Sequence, residues 1–389
     1  MRIKPGMPIV AGLIAMLSGN VWLSGNAWAA FKHVATHPEA ANTFHSTPQN
    51  SSTYHVSHRG REIKVLRAFK SRLYIGYGQD DGPNKPGSCA PYYVSAAGAP
   101  WCALVVRYYD PATGRLSAPQ GSIRSQELST LEVMGGSLYG LAEDREGRDD
   151  YIKCSASGCR GGMVDAASTA HLYSATEMNG VIYMAGSSGR DGVIWKSSNG
   201  GAHWTETLRA TAENGASDFS RFYEVGGPVY GLVYAHARDW FNGYQLHSKT
   251  HDGKASNKWV NHTVGLETYL PTFRLRGFAN TAIYIEGVEL KEYNGVTSRL
   301  HSVAHVHDFA IADGWLYALF NASGQHKIFR TKDLKSWRHF DTAPSTAISI
   351  EVVAGNVYVG TTDAKIYKSD VSLDENTVVM APIYYLLLN

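Results

Sequence analysis

Leu131-Glu132-Val133-Met134-Gly135-Gly136-Ser137-Leu138-Tyr139-Gly140 reads as a short apolar run, a two-residue turn and a second run that begins with an aliphatic residue and tyrosine. Glycine pairs supply the positive φ that a two-residue hairpin needs, so this stretch is a β-hairpin. The aliphatic-tyrosine signature recurs at Leu73-Tyr74, Ile182-Tyr183, Val229-Tyr230, Ile283-Tyr284, Leu316-Tyr317 and Val357-Tyr358. The seven tyrosines are separated by 65, 44, 47, 54, 33 and 41 residues, which makes the chain an internal repeat. A turn signal precedes six of the seven: Gly135-Gly136, Asn179-Gly180, Gly226-Gly227, Asn280-Thr281, Asp313-Gly314 and Gly355-Asn356; the first copy carries Lys70-Ser71-Arg72 instead.

Outward from each hairpin comes a loop and then a third strand, such as Ala103 to Tyr109, Gly192 to Lys196, Lys327 to Arg330 or Lys365 to Lys368. Each ends in a further turn, for example Ser198-Asn199-Gly200-Gly201 or Lys332-Asp333-Leu334, and a fourth strand follows. Strands this short bury little surface alone, whereas four-stranded meanders stacked around an axis give each sheet a neighbour and leave few open edges. The expectation is an all-β protein, a seven-bladed β-propeller of four-stranded antiparallel blades over residues 61–389.

Composition agrees. The 389 residues include 39 glycines and are 44% hydrophobic, 11% aromatic and only 18% charged, which suits a turn-rich all-β chain. With 36 basic against 34 acidic residues and no basic block interleaved with aromatics, nucleic acid is not expected as a partner.

Met1-Arg2-Ile3-Lys4, the apolar Met7 to Leu23 and Ala27-Trp28-Ala29 followed by Ala30 have the order of an n-region, an h-region and an A-x-A cleavage site. They predict a signal peptide over residues 1–29, a secreted or periplasmic product, and no membrane span after cleavage, because Ser18-Gly19-Asn20 interrupts the apolar run. Residues 30–60 read as a flexible leader, with Thr53-Tyr54-His55-Val56 as the candidate ring-closing strand. Export makes disulfides the natural reading of the four cysteines. Of the three pairings, Cys89 with Cys102 and Cys154 with Cys159 is favoured, since the second pair brackets the turn Ser155 to Gly158; zinc is the competing reading.

Ser197-Ser198-Asn199-Gly200-Gly201-Ala202-His203-Trp204 resembles the Asp-box of the bacterial neuraminidase repeat, Ser-x-Asp-x-Gly-x-x-Trp, with Asn199 in the aspartate's place. Thr331-Lys332-Asp333-Leu334-Lys335-Ser336-Trp337 resembles a shorter copy without the glycine. The resemblance is to the sialidase-like propeller superfamily, and it implies a structural role for both boxes, on the face opposite the site. That superfamily includes sialidases, other glycoside hydrolases, lectins, sorting receptors and assembly factors, so the resemblance leaves function open. Where sialidases carry Arg-Ile-Pro, this chain has Leu66-Arg67-Ala68.

Aligning the copies on their tyrosines places Arg67, Glu132, Thr176, Tyr223, Gly277, Ala310 and Glu351 in one column at the channel mouth. Arg221, Arg274, Arg276, His307 and Asp308 stand just before it. Ionisable groups converging on a concave axis signal a polar-ligand site, and the bland alternative is that they pair with one another. A glycosidase needs an acid and a second carboxylate, for which Glu132, Asp308 and Glu351 are the candidates; Tyr223 is the candidate for a sialidase-style tyrosine nucleophile. Arg67, Arg221, Arg274 and Arg276 are candidate ligand anchors, Arg274 and Arg276 sharing a face by period two. Tyr92 and, on a second loop, Arg238 and Trp240 offer sugar-binding contacts. His305 and His307 share a face without an evident third ligand, so no metal is assigned; the acidic run Glu143 to Asp150 leaves calcium as a weak reading and no cofactor is expected. The expected function is binding or hydrolysis of carbohydrate or another small polar ligand at the axis. The alternative is a non-catalytic lectin or scaffold with a protein partner.

Overall fold

The structure is a computed structural model. It describes residues 31–373 apart from 42–44, 50–52, 58–60, 79–92, 95–99, 102–103, 124, 126, 143–148, 165–169, 211–219, 230–231, 240–246, 253–258, 262–271, 287, 294–297, 301–304, 323 and 372. It is an all-β propeller of four-stranded antiparallel blades. The blade that contains Tyr74 runs Val65–Phe69, Arg72–Gly76, Leu104–Asp110 and Gly121–Ile123, with Arg115–Leu116 as a short side strand. The Tyr139 blade is Thr130–Met134, Ser137–Leu141, Tyr151–Ser155 and Gly158–Gly162, and the Tyr183 blade is Ala170–Met178, Val181–Ser188, Asp191–Ser197 and Thr205–Ala210. There follow Ser220–Val229, Leu232–Asp239, His247–His251 and Val260–Asn261; then Thr272–Phe278, Thr281–Glu286, Glu289–Tyr293 and Ser298–Leu300 around Tyr284. The Tyr317 blade is His305–Ala312, Trp315–Ala322, Gln325–Thr331 and Arg338–Thr342. The Tyr358 blade takes three strands from the C-terminal part, Ala347–Val353, Asn356–Thr361 and Lys365–Lys368, and its outer strand, Lys32–Thr36, from the N-terminal part.

That last strand corrects the expected closure. Thr53–Ser57 pairs instead with His45–Gln49 in a separate hairpin, while Lys32 lies opposite Lys368 and Thr36 opposite Lys365. The closing segment is secured as it leaves the ladder: the His37 amide donates to the Ala364 carbonyl at 2.9 Å, and Arg107 grips Glu39 with two nitrogens at 2.7 and 2.5 Å. Such a bidentate pair fixes geometry as well as charge.

The hairpins are two-residue turns with both φ values positive, as at Gly135 and Gly136 (54° and 69°) and at Asp313 and Gly314 (50° and 72°). Two turns sit one residue earlier than the sequence signal, at Ala279-Asn280 and Ala354-Gly355. A third moves further. The strand Ser220–Val229 runs through Gly226-Gly227 as a bulge and pairs Val229 with Leu232; Tyr230 lies outside the described residues, and Tyr234, opposite Gly226, holds the repeat position. Gly226 is required there for packing rather than turning, because a Cβ on it would meet Leu275 Cδ2 of the next blade at 2.4 Å.

Tyr74, Tyr139, Tyr183, Tyr284, Tyr317 and Tyr358 are all fully buried, large side chains at one recurring position of the repeat. The seams carry polar stitches as well. Ser174 Oγ donates to the Val225 carbonyl at 3.1 Å, Thr130 Oγ1 to the Tyr173 carbonyl at 2.8 Å, and Ser349 Oγ to the Ile63 carbonyl at 2.6 Å. Cys154 and Cys159 form a disulfide across the ladder of the Tyr139 blade. Cys89 and Cys102, and residues 1–29, expected as a signal peptide, lie outside the described residues.

Candidate functional site

Counting from the observed turns, rather than from the tyrosines, gives the true inner column. The third inner-strand residue before each turn is Arg67 opposite Tyr74, Glu132 opposite Tyr139, Thr176 opposite Tyr183, Arg276 opposite Ile283, Ala310 opposite Tyr317 and Glu351 opposite Tyr358. Arg276 therefore replaces Gly277 in the expected column, and Gly226, paired with Tyr234, stands where Tyr223 was expected. The bulge between Phe273 and Arg276 breaks the period-two relation assumed for Arg274 and Arg276, and Arg274 takes a left-handed φ of 60°. Strained residues and bulges re-aim side chains at sites, and here both arginines still reach the axis.

A cavity of about 250 Å³ opens on this column. Its charged lining is Arg67, Glu132, Arg274, Arg276 and Glu351, joined by Ser129, Thr130 and the apolar Leu66, Leu131 and Phe309. Arg67 donates to Glu132 at 2.7 Å and stands 3.6 Å from Glu351. Arg276 donates to the other oxygen of Glu132 and so bridges non-adjacent blades across the axis. Arg274 donates to Asp308 and, at 3.3 Å, to the Lys64 carbonyl. Asp308 also accepts the Phe309 amide at 2.6 Å and the Ile350 amide at 2.7 Å, tying its own blade to the next. Glu351 accepts the Val352 amide at 2.8 Å and the Ala68 amide at 3.3 Å.

The electrostatics follow from this pairing. Burial pushes the Glu132 carboxyl up, but Arg276 and Arg67 outweigh it and hold the group below its ordinary range. Burial dominates at Asp308 and raises it to about 6, against the opposing pull of Arg274 and the two amides. Arg67 is stabilised as a cation, because Glu132 and Glu351 more than offset its desolvation, whereas burial leaves Arg276 below its ordinary value. Three arginines thus face three carboxylates in a nearly neutral network.

Of the other expected site residues, Arg221 and Tyr223 lie on the strand Ser220–Val229 and Arg238 on Leu232–Asp239, but their side chains, like Tyr92 and Trp240 altogether, are outside the described residues. His305 and His307 stack at 4.9 Å between ring centroids, and their further neighbour, unforeseen because it comes from another strand, is His326 at 4.7 Å from His307. Among the described residues no group of three or more His, Cys, Asp and Glu side chains converges to hold a metal. Glu143 to Arg148 are outside the described residues, and Asp150 is buried and accepts the Val164 amide at 2.8 Å.

In the two box-like turns, Asn199 Oδ1 accepts the His203 amide at 2.9 Å, and Asp333 Oδ1 accepts the Lys335 and Ser336 amides at 2.9 and 2.7 Å. Both carboxyl or amide groups are spent on turn geometry.

Fold and axial pocket together define a β-propeller with a polar central site. Among solved structures the chain is similar to a catalytically inactive variant of virginiamycin B lyase from Staphylococcus aureus bound to quinupristin, with a TM-score of 0.50, 11% identity, and coverage of 84% of this chain and 99% of that one. It is also similar to an ulvan lyase (TM-score 0.48, 13% identity, 87% and 96% covered) and to BamB of Moraxella catarrhalis (0.43, 9%, 79% and 96%). At such identities only the fold is shared. No family model and no curated protein matches the sequence.

Proposed function

We propose that the protein is an exported, non-catalytic propeller whose axial pocket binds a small polar ligand, a sugar residue being the chemistry best suited to it. The blades are read as seven, one per repeat, with Lys32–Thr36 as the closing strand, and the box-like turns as sialidase-superfamily Asp-boxes on the opposite face. The single observation behind the binding reading is that every axial carboxylate is already committed, Glu132 and Glu351 to arginine and Asp308 to Arg274 and two amides. A glycosidase keeps one carboxyl free to donate a proton and another free to attack or to activate water. Paired hydrogen-bonding groups around a cavity of about 250 Å³ suit alternating donors and acceptors such as sugar hydroxyls.

Hydrolysis is the second reading, and it rests on Asp308, whose carboxyl at about 6 has the proton affinity of a general acid near neutral pH. A glycan array together with a panel of chromogenic glycosides separates the two. Glycan binding without turnover, weakened by Arg67→Ala, supports the binding propeller. Turnover abolished by Asp308→Asn establishes a glycosidase instead.

A further inference from the structure

The pairing of charges is uneven over the molecule. At the axis, Arg67, Arg274 and Arg276 all have carboxylate partners, and nearby Lys64 lies 3.4 Å from both Glu62 and Glu127. The opposite, hairpin-turn end of three consecutive blades behaves differently. On the Tyr317 blade, Lys332 and Lys335 are exposed and Arg338 half-exposed; Lys332 Nζ stands 4.7 Å and the Arg338 guanidinium 5.9 Å from the Trp315 ring centroid. On the Tyr74 blade, Lys70 lies 5.0 Å over Phe69 and Arg72 4.3 Å over Tyr108. Between them, at the seam of ring closure, Lys32 is paired directly opposite Lys368, a like-charge arrangement that costs stability unless something anionic offsets it.

None of these cations has a carboxylate within ion-pair distance among the described residues. Asp110, Asp313, Asp333 and Asp370 share this end; Asp333 and Asp110 cap turn amides, Asp110 accepting from Ala112 at 2.9 Å, while Asp313 and Asp370 are exposed, and none of the four stands within ion-pair distance of these cations. Seven cations, Lys32, Lys70, Arg72, Lys332, Lys335, Arg338 and Lys368, thus stand against four carboxylates on this face, in a chain with 36 basic against 34 acidic residues overall.

We propose that this face binds an acidic polysaccharide, carrying carboxylate or sulfate groups along an extended chain. A polyanion is what spaced, unpaired cations on adjacent blades match, one anionic group meeting one cation after another. The face lacks what other anionic partners use. The large exposed hydrophobics among the described residues, Val133, Met163, Val260 and Val288, all lie on other blades, which leaves no apolar insertion for a membrane and no apolar anchor for a protein interface. Trp315, Tyr108 and Phe69 are each overlain by a cation, so no open ring is offered for nucleobase stacking. The proposal is independent of what the axial pocket binds.

Titration calorimetry of the full chain against dextran sulfate, polygalacturonate, neutral dextran and phosphatidylglycerol vesicles at about 0.15 M salt tests it. Either or both acidic polymers bind, which also separates sulfate from carboxylate preference, and neutral dextran does not. Lys70→Ala combined with Lys332→Ala weakens the binding about tenfold, whereas Arg160→Ala with Arg190→Ala, exposed cations of other blades, leaves it unchanged. Equal losses in both double variants, no binding by either polymer, or tighter binding to the vesicles than to the polymers overturns it.

Discussion

Glu132 is the residue on which the axial network turns, because it receives Arg67 on one oxygen and Arg276 on the other. Removing it leaves Arg67 with Glu351 alone and Arg276 with only the Leu275 carbonyl, two part-buried cations facing each other without the carboxylate between them. Breaking a buried pair from one side costs about 3–5 kcal/mol, far more than the net worth of the pair itself. Glu132→Ala should therefore lower the stability measured by urea unfolding by about 3 kcal/mol, and Glu132→Ala with Arg276→Met should recover part of that loss. Additive losses in the double variant would show that the two side chains do not interact. In the sequence, Glu132 and Glu351 stand out as carboxylates in strands that are otherwise apolar. Arg276 does not stand out in the column, because its register depends on a turn at Ala279-Asn280 whose first residue carries no turn signal.

At the scale of elements, the closing strand is the point of greatest consequence. Lys32–Thr36 covers the edge of the Tyr358 blade, and an uncovered edge of this kind is a template for pairing with another chain. The strand is anchored beyond its own ladder by Glu39, which receives two hydrogen bonds from Arg107 of the Tyr74 blade, and by His37, buried at 4.5 Å from Tyr77. Glu39→Gln keeps the shape but loses the charge, and should cost about 1–3 kcal/mol and expose residues 31–41 to limited proteolysis ahead of the rest of the chain. Unchanged proteolysis would mean that the ladder alone holds the strand. The placement of this element was the least legible part of the fold. Lys32 to Thr36 and Thr53 to Val56 are both short and plausible as strands, and the choice is made by Ala35 and His37 burying against the far end of the chain.

For the molecule as a whole, buried titratable groups set the response to acid. His37 and His307 are pushed down to about 4 from an ordinary 6.5, both chiefly by burial. For His307 the neighbouring His326 and His305 add to the effect. Between those values the unfolded chain binds more protons than the folded one, so each histidine makes stability fall as pH drops from 6.5 towards 4. Asp308 acts in the opposite sense: raised to about 6 from 3.8, it favours the folded state increasingly as pH falls between those values. Glu132 and Glu39, both held low, withdraw their contribution only at more acid pH. Burial lowers His251 and His339 in the same sense and raises Asp341 as it does Asp308, so four histidines stand against two aspartates and stability falls from pH 6.5 downward. Urea midpoints measured from pH 7.5 to 4.5 should decline, and His307→Gln should flatten the decline. A variant with an unchanged slope would remove His307 from the account.

The periodic tyrosines, the turn dipeptides and the alternation of short strands determined by themselves that this is an all-β chain of repeated meanders, since period and turn chemistry are local properties. They also brought Arg67, Glu132, Arg274, Asp308 and Glu351 to the axis, because residues at equal distances from a hairpin turn occupy equal depths in every blade. What required the tertiary structure was register and pairing. Gly226-Gly227 lies in a bulge rather than a turn, and Leu275 of the next blade leaves no room for a side chain on Gly226. The axial charges proved to be one another's partners because the ring brings Arg276 across to Glu132, 144 residues away in sequence. Local pattern carries the strand and the turn, whereas contacts between blades, which no single repeat contains, decide which charges are spent on holding the ring together and which remain for a ligand.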